Sequence, residues 1–463
     1  MKLLPPRSEP PYASPASVAV GLLRHAERTV SAAVGRLWPD EHCVVGKATA
    51  DGSKVLFHVE VGQRTVCATY SLLGWSLASL VRGAREDLSL AIEAQQAQLE
   101  HSDGPLAREA KEIELLRAHT GMRMCDQLGL REGVLVTSWV DGPSLAERVV
   151  TEPDMTMDLL VNLWGELREL HQPSTGPLDW VARRTPPSGG VSPLRAGGPA
   201  AVPRRWLGSA VADGWLAPGD TTELQILGPQ TVARLGRLGR RLDPKTEARR
   251  GVCYGGLTPH HVLYPALTSS PASSRFSSAA ASSLAPLPAR PSSERPVLVS
   301  PALGVGGEVA DLGRMVSRLH LLLVGSRPGA EVSRAVAYGV DHWIRSRLAA
   351  DGEARQGRLA ALLTMWAADT LSVLSETLSV RPGVLPLPPS MVAAGHRCLD
   401  VIKSVDTFTS VLQRCGADHA MRVAIAALAS AGEHRADQAG RPRAPNSLSR
   451  DVGVEPLQVR RGK

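Results

Sequence analysis

Residues 252–264 read Val-Cys-Tyr-Gly-Gly-Leu-Thr-Pro-His-His-Val-Leu-Tyr, and their chemistry is the most informative in this 463-residue chain. Gly255 and Gly256 suit a tight turn before a short strand, because glycine takes positive φ at no steric cost. His260 and His261 are adjacent, so they cannot chelate one ion from a single helix face as residues four apart do. Asp311 follows the apolar run 297–299 and suits either of two tasks, steadying the loop or capping a helix start. Cys43, Cys67, Cys125, Cys253, Cys398 and Cys415 contain no C-x-x-C pair. Neither a zinc site nor a redox motif is therefore indicated.

The elements around this loop follow from hydrophobic period and turn residues. Val20, Leu23, Val30, Val34 and Leu37 recur near helical spacing over 17–37. Runs 43–49 and 54–61 flank Asp51-Gly52, a hairpin signal, and a third strand follows at 65–70. Helices are expected at 86–100 and 105–119, a buried strand at 133–140, and a helix at 155–171 that ends in Leu170-His171. Helical stretches at 308–324, 329–350, 355–379 and 390–431 complete the order. Antiparallel strands, a helix, a strand and then helices predict an α+β class with a small sheet lobe and a mostly helical lobe.

Four blocks of sequence resemble the aminoglycoside phosphotransferase family, a branch of the protein-kinase-like fold. Tyr254-Gly255-Gly256-Leu257 through Val262-Leu263 is similar to that family's H-G-D-L-x-x-x-N-V-L loop. Leu106-Ala-Arg-Glu109-Ala resembles its R-E-A helix start. Gly133 to Leu145 is similar to its hinge strand and G-x-x-L turn. Val297 to Gly304 with Val309-Ala-Asp311-Leu-Gly-Arg314 resembles its I-D-P-x-x-G…D-L-A-R block. The resemblance implies a two-lobed kinase-like fold, ATP as cofactor, and small-molecule phosphotransfer as the activity of the family. It also implies that the backbone of 137–140, including Thr137 and Trp139, holds adenine, and that Glu109 pairs with a strand lysine that grips phosphate.

The departures fall on the reactive positions. Gly256 stands where the resemblance places the catalytic Asp, so no carboxylate orients the attacking hydroxyl. His261 and Ser300 stand at the metal-ligand positions, and neither is a good Mg²⁺ ligand. Thr69 stands in the register of the strand lysine, with Lys47 and Lys54 on neighbouring strands as substitutes. Without that lysine, Glu109 reads either as a helix-surface acid or as an ion-pair anchor. Glu308 and Asp311 are the nearest acids to serve as displaced catalytic groups. Tyr254 and Asp311 are expected to be structural beside the site, as is His171. Trp139, Trp343 and Trp366 are expected in the core.

The leading expectation is a pseudokinase, a kinase-fold protein that binds a nucleotide or metabolite without turnover. Two alternatives stay open: an active phosphotransferase with non-standard catalytic residues, and a platform for a protein partner. The expected domains are a flexible segment 1–16, an N-lobe 17–140, a C-lobe 141–431 interrupted by a disordered Ser/Ala/Pro insertion 265–296, and a flexible tail 432–463.

Composition fits a soluble, cytoplasmic protein: 43% hydrophobic, 21% charged, 4% aromatic, with a net charge of +7. Arginines cluster at 183–205 and 234–250, where they read as a phosphate-attracting patch or as a solvated face. No nucleic-acid-binding signature accompanies them. The apolar stretch near 359–380 contains Asp369 and Glu376, which excludes it as a membrane span.

Overall fold

Alternation of buried and half-exposed residues builds the first half of the molecule. A computed structural model describes residues 14–83, 88–99, 104–172, 176, 178, 214–242, 252–265, 295–348 and 352–433. The basic stretch 183–205, most of the insertion, the end of 234–250, and the bulk of both terminal segments lie outside the described residues. Helix α1 (Pro15–Leu37) precedes strands β1 (Cys43–Asp51), β2 (Lys54–Val61) and β3 (Arg64–Tyr70). Helices α2 (Leu77–Val81), α3 (Leu88–Leu99) and α4 (Pro105–His119) follow, then strands β4 (Gln127–Arg131) and β5 (Val134–Ser138). The five strands form one antiparallel sheet in the order β1-β2-β3-β5-β4.

The two faces of this sheet have different fates. Val55, Phe57, Val59, Val66, Ala68, Tyr70, Val134 and Val136 point outward and are buried against Leu22, Ala26, Val30 and Val34 of α1. The alternate residues, among them Lys54, Leu56, His58, Cys67, Thr69 and Thr137, share the opposite face. That face looks toward the helical lobe and defines a cleft.

The helical lobe comprises α5 (Leu145–Thr151), α6 (Thr156–His171), α7 (Pro218–Arg241), α8 (Gly307–Ser326), α9 (Ala330–Arg347), α10 (Gly352–Thr377), α11 (Pro389–His396), α12 (Cys398–Cys415) and α13 (Ala417–Ser430). Two minimal two-stranded sheets belong to it. Strand β6 (Val252–Cys253) pairs with β9 (Gly304–Val305), and β7 (Val262–Leu263) pairs with β8 (Val297–Leu298). Trp343 stacks edge-on against Trp164, and Trp366 lies against Phe408, so Trp343 and Trp366 do sit in the core. Together these elements give a two-lobed α+β kinase-like fold. No described helix is long and apolar enough to cross a membrane.

The structure departs from the sequence reading in several places. The stretch 390–431 is three helices, because the chain breaks at Arg397 and at Gly416, where φ is 89°. Helix α7 was not legible, since Pro229 inside it mimics a helix stop. Its Arg234 is not a solvated charge; it bonds Asp406 of α12. Trp139 is 47% exposed rather than core.

Candidate functional site

The loop 254–256 is held from below by Asp311. This residue is fully buried in the first turns of α8. Its carboxylate does not cap its own helix; it accepts from the amides of Tyr254 at 2.7 Å and Gly255 at 3.0 Å. His171, at the end of α6, brings Nε2 to 2.9 Å from the same carboxylate. The Tyr254 hydroxyl donates to the Val299 carbonyl at 2.9 Å, and burial pushes its pKa well above the usual phenol value.

Above this clamp, two stretches of backbone touch. The Ala302 amide donates to the Tyr254 carbonyl at 3.0 Å, and the Gly256 amide donates to the same oxygen at 2.7 Å. Gly255 has a φ of 68°, and a Cβ there would lie 2.0 Å from the Ala302 carbonyl oxygen. At Gly256 a Cβ would lie 2.1 Å from the Ser300 carbonyl oxygen. Both glycines are therefore demanded by close backbone approach. Ser300 itself adopts a left-handed φ of 56°, which aims its carbonyl at the loop. The space a catalytic carboxylate would need at position 256 is filled by main chain.

On the opposite wall, Lys54 Nζ lies 2.7 Å from Glu109 Oε2 of α4, and Glu109 is buried. Glu109 is thus an ion-pair anchor and not a surface acid. The lysine comes from β2 rather than β3. Thr69 lies on β3 between Leu56 and Leu135, on the same sheet face, and is buried. Lys47 is exposed and takes no part. Burial works against the Lys54 ammonium, but the charge and hydrogen bond of Glu109, with Asp51 and Glu112 beyond, raise its pKa. One turn along α4, Glu112 accepts from Arg108 at 2.6 Å and from the Leu303 amide at 3.1 Å. Burial pushes its carboxyl up to about 7 against the pull of Arg108.

An acid that the sequence did not single out enters from the hairpin turn. Asp51, at the end of β1, places Oδ2 3.2 Å from His261 Nε2, while His261 Nδ1 lies 2.9 Å from the Gly256 carbonyl oxygen. His261 therefore ties the turn of one lobe to the loop of the other. Burial works to raise the Asp51 carboxyl, but the hydrogen bond and charge of His261, with Arg318 and Lys54, hold it below the usual range. Arg318 of α8 is itself bonded to Asp369 of α10 at 2.8 Å. Nearby, Glu376 is bonded to the Ser76 hydroxyl, and burial lifts its carboxyl to about 7 against Arg82 and Arg318.

The turn is pinned on several sides. The Gly52 carbonyl accepts from the Leu77 amide at 3.0 Å, and the Ser53 carbonyl accepts from the Ser71 hydroxyl at 2.8 Å. The Ala50 amide donates to the Pro386 carbonyl at 2.8 Å, which brings the segment after α10 onto the sheet. The acids expected as substitutes are elsewhere. Glu308 is taken by Arg347 and Arg358, and Asp311 by the loop amides.

These donors do not fit a magnesium ion. Magnesium wants several hard oxygens in octahedral array. His261 has both ring nitrogens engaged, and Ser300 supplies a neutral hydroxyl. No group of three or more His, Cys, Asp or Glu side chains suited to a metal occurs among the described residues. The adenine end fits better. Thr137 is locked in the ladder between Cys67 and Gln127, but Trp139 and Val140 lie beyond the strand, and no other described residue bonds their amides. His58 packs edge-on to the exposed Trp139 ring, with centroids 4.9 Å apart.

A separate cavity of about 440 Å³ opens between α8, α12 and α13 and is lined by His320, Arg397, Lys403 and Thr407. It touches none of the cleft residues. Lys403 already pairs with Glu223, so the interlobe cleft remains the candidate site.

No family model and no curated protein matches this sequence. Solved structures similar to it include an aminoglycoside-3'-phosphotransferase of type VIII, at 18% identity, with 73% of this chain and 99% of that chain covered and a TM-score of 0.39. Another is a Plasmodium vivax ethanolamine kinase, at 10% identity, with coverage of 87% and 98% and a TM-score of 0.42. A third is a spectinomycin phosphotransferase solved with ADP and spectinomycin, at 9% identity, with coverage of 84% and 94% and a TM-score of 0.39. Likeness at this level carries no substrate across, and the fold rests on the lobes and sheet described above.

Proposed function

We propose that this chain is a kinase-fold protein of the small-molecule phosphotransferase type that binds a ligand between its lobes without transferring phosphate. The observation that carries the reading is the contact between Gly256 and the Ser300 carbonyl, which leaves no room for a side chain at 256. Phosphoryl transfer to a hydroxyl depends on a carboxylate beside the attacking oxygen and on metal-borne charge compensation. The loop supplies neither. The Lys54–Glu109 pair and the exposed hinge are features that binding alone requires. We place this activity in the cytoplasm, where the six free thiols stay reduced.

A specific observation favours one rival. Asp51 brings a carboxylate to the loop from the other lobe, and an active enzyme would use it as the missing base. Against this, Asp51 is already bonded to His261, and the lowering of its pKa makes it a weak base. The test is a coupled assay for ATP consumption with Mg²⁺ or Mn²⁺ and a panel of small alcohols and amines, alongside thermal unfolding with ATP and adenosine. The expected result is no turnover above the protein-free control, with stabilisation by a ligand that does not depend on metal. A ligand at 100 times its Kd adds about 2.7 kcal/mol, which is easily read. Turnover on the order of 1 s⁻¹ or faster with any acceptor ends the reading.

A further inference from the structure

We propose that Asp51 is a built-in occupant of the cationic end of the cleft, so that the cleft accepts an uncharged, nucleoside-sized ligand in preference to a nucleoside triphosphate. This rests on the binding role proposed above and adds the charge class of the ligand.

The basic side chains at this end of the cleft each stand beside an acid of the chain itself. His261 faces Asp51 at 3.2 Å, Lys54 faces Glu109 at 2.7 Å, and Arg318 faces Asp369 at 2.8 Å. Lys54 and Arg318 also act on Asp51 through space. A phosphate drawn to Lys54 and Arg318 must share them with the Asp51 carboxylate, which both already attract. Like charges brought together disfavour one another strongly where water is partly excluded. Retreat of Asp51 is opposed as well, because the turn that carries it is bonded to Leu77, Ser71 and Pro386. The Asp51 side chain keeps 40% of its surface exposed, so it stands in the cleft and not in a sealed core.

The hinge end has the opposite character. Trp139 and His58 offer aromatic surface, the amides of Trp139 and Val140 engage no other described residue, and Cys67 and Thr137 are uncharged. A planar heterocycle with hydrogen-bonding edges suits that wall, and nothing near it asks for a negative charge.

The experiment uses the full chain and its Asp51→Asn variant, with adenosine, ATP and pyrophosphate as probes, read by calorimetry and thermal unfolding with and without Mg²⁺. Wild type is expected to bind adenosine about tenfold or more tightly than ATP and to ignore pyrophosphate. Asp51→Asn is expected to gain about tenfold or more in affinity for ATP and for pyrophosphate while keeping adenosine, since about 1.4 kcal/mol of relieved repulsion corresponds to that factor. ATP or pyrophosphate binding to wild type as tightly as adenosine overturns the inference and leaves the proposed function standing. Unchanged anion affinity in Asp51→Asn also overturns it. Binding of none of the probes by wild type overturns the proposed function itself. Asp51 is part-exposed on a turn, so the variant is expected to fold, and the wild-type comparison stands without it.

Discussion

Placing alanine at position 256 forces the close contact in the loop to declare itself. The new Cβ would start 2.1 Å from the Ser300 carbonyl oxygen, and ordinary contact begins near 3.4 Å. The Ser300 segment must therefore withdraw by more than an ångström. That segment is held by the Val299 amide on the His261 carbonyl at 3.1 Å and the Ala302 amide on the Tyr254 carbonyl at 3.0 Å. Losing or bending these bonds costs about 1 kcal/mol each, and overpacking adds about 1–3 kcal/mol. Against this, glycine-to-alanine replacement stiffens the unfolded chain and returns about 0.4–1 kcal/mol. The steric side wins, and Gly256→Ala is expected to lose about 3 kcal/mol in urea unfolding. The control is Gly165→Ala in α6, where a Cβ meets nothing within 4 Å. There the same change is expected to gain about 0.5–1 kcal/mol through helix propensity. A Gly256→Ala protein as stable as wild type would mean that the loop has room for a side chain, and the case against catalysis would lose its main support. The same contact means that restoring an acid by Gly256→Asp, even with His261→Asn and Ser300→Asp, should yield a destabilised protein and not a kinase.

Three further outcomes follow from the same geometry. Lys54→Met leaves the buried Glu109 carboxylate unpaired and should cost about 3–5 kcal/mol, while the double change with Glu109→Leu recovers much of it in a double-mutant cycle. Asp311→Ala orphans the amides of Tyr254 and Gly255 and should cost about 4 kcal/mol in urea unfolding, a loss too small to be detected only if those amides find water. Glu376 has an ordinary pKa of 4.5 and a folded value lifted to about 7 by burial, so the folded protein holds the extra proton between those pH values. Its contribution is full below pH 4.5 and is lost as pH rises through about 7. Stability should therefore fall by up to ~3 kcal/mol across that window from this group, with Glu112 adding in the same direction. Glu376→Gln should flatten part of that slope and exceed wild-type stability at pH 8, and an unchanged pH profile would refute the burial argument.

Legibility varied with the range of the contacts involved. The hairpin about Asp51-Gly52, the three strands, α4 at Pro105–His119 and α6 ending at His171 were readable, because a run of period two or 3.6 advertises its buried face locally. Strand β4 was missed, since it is a five-residue edge strand containing Gly129 and half-exposed side chains. Which of Lys47 and Lys54 answers Glu109 stays open in the sequence, because the choice depends on sheet register, which sets Lys54 opposite Asp51 at the hairpin end.

The sequence by itself determined the lobes, their order, and the absence of a carboxylate at position 256, since these depend on residue type and on spacing within a few turns. Only the tertiary structure decided that Lys54 answers Glu109, that Ser300 closes the loop, and that Asp51 reaches His261 across 210 residues of chain. The first two join distant segments within one lobe and the third joins the lobes, and all three are set by the summed burial of many apolar side chains as the chain packs. No single residue in the chain records where its distant partner will land.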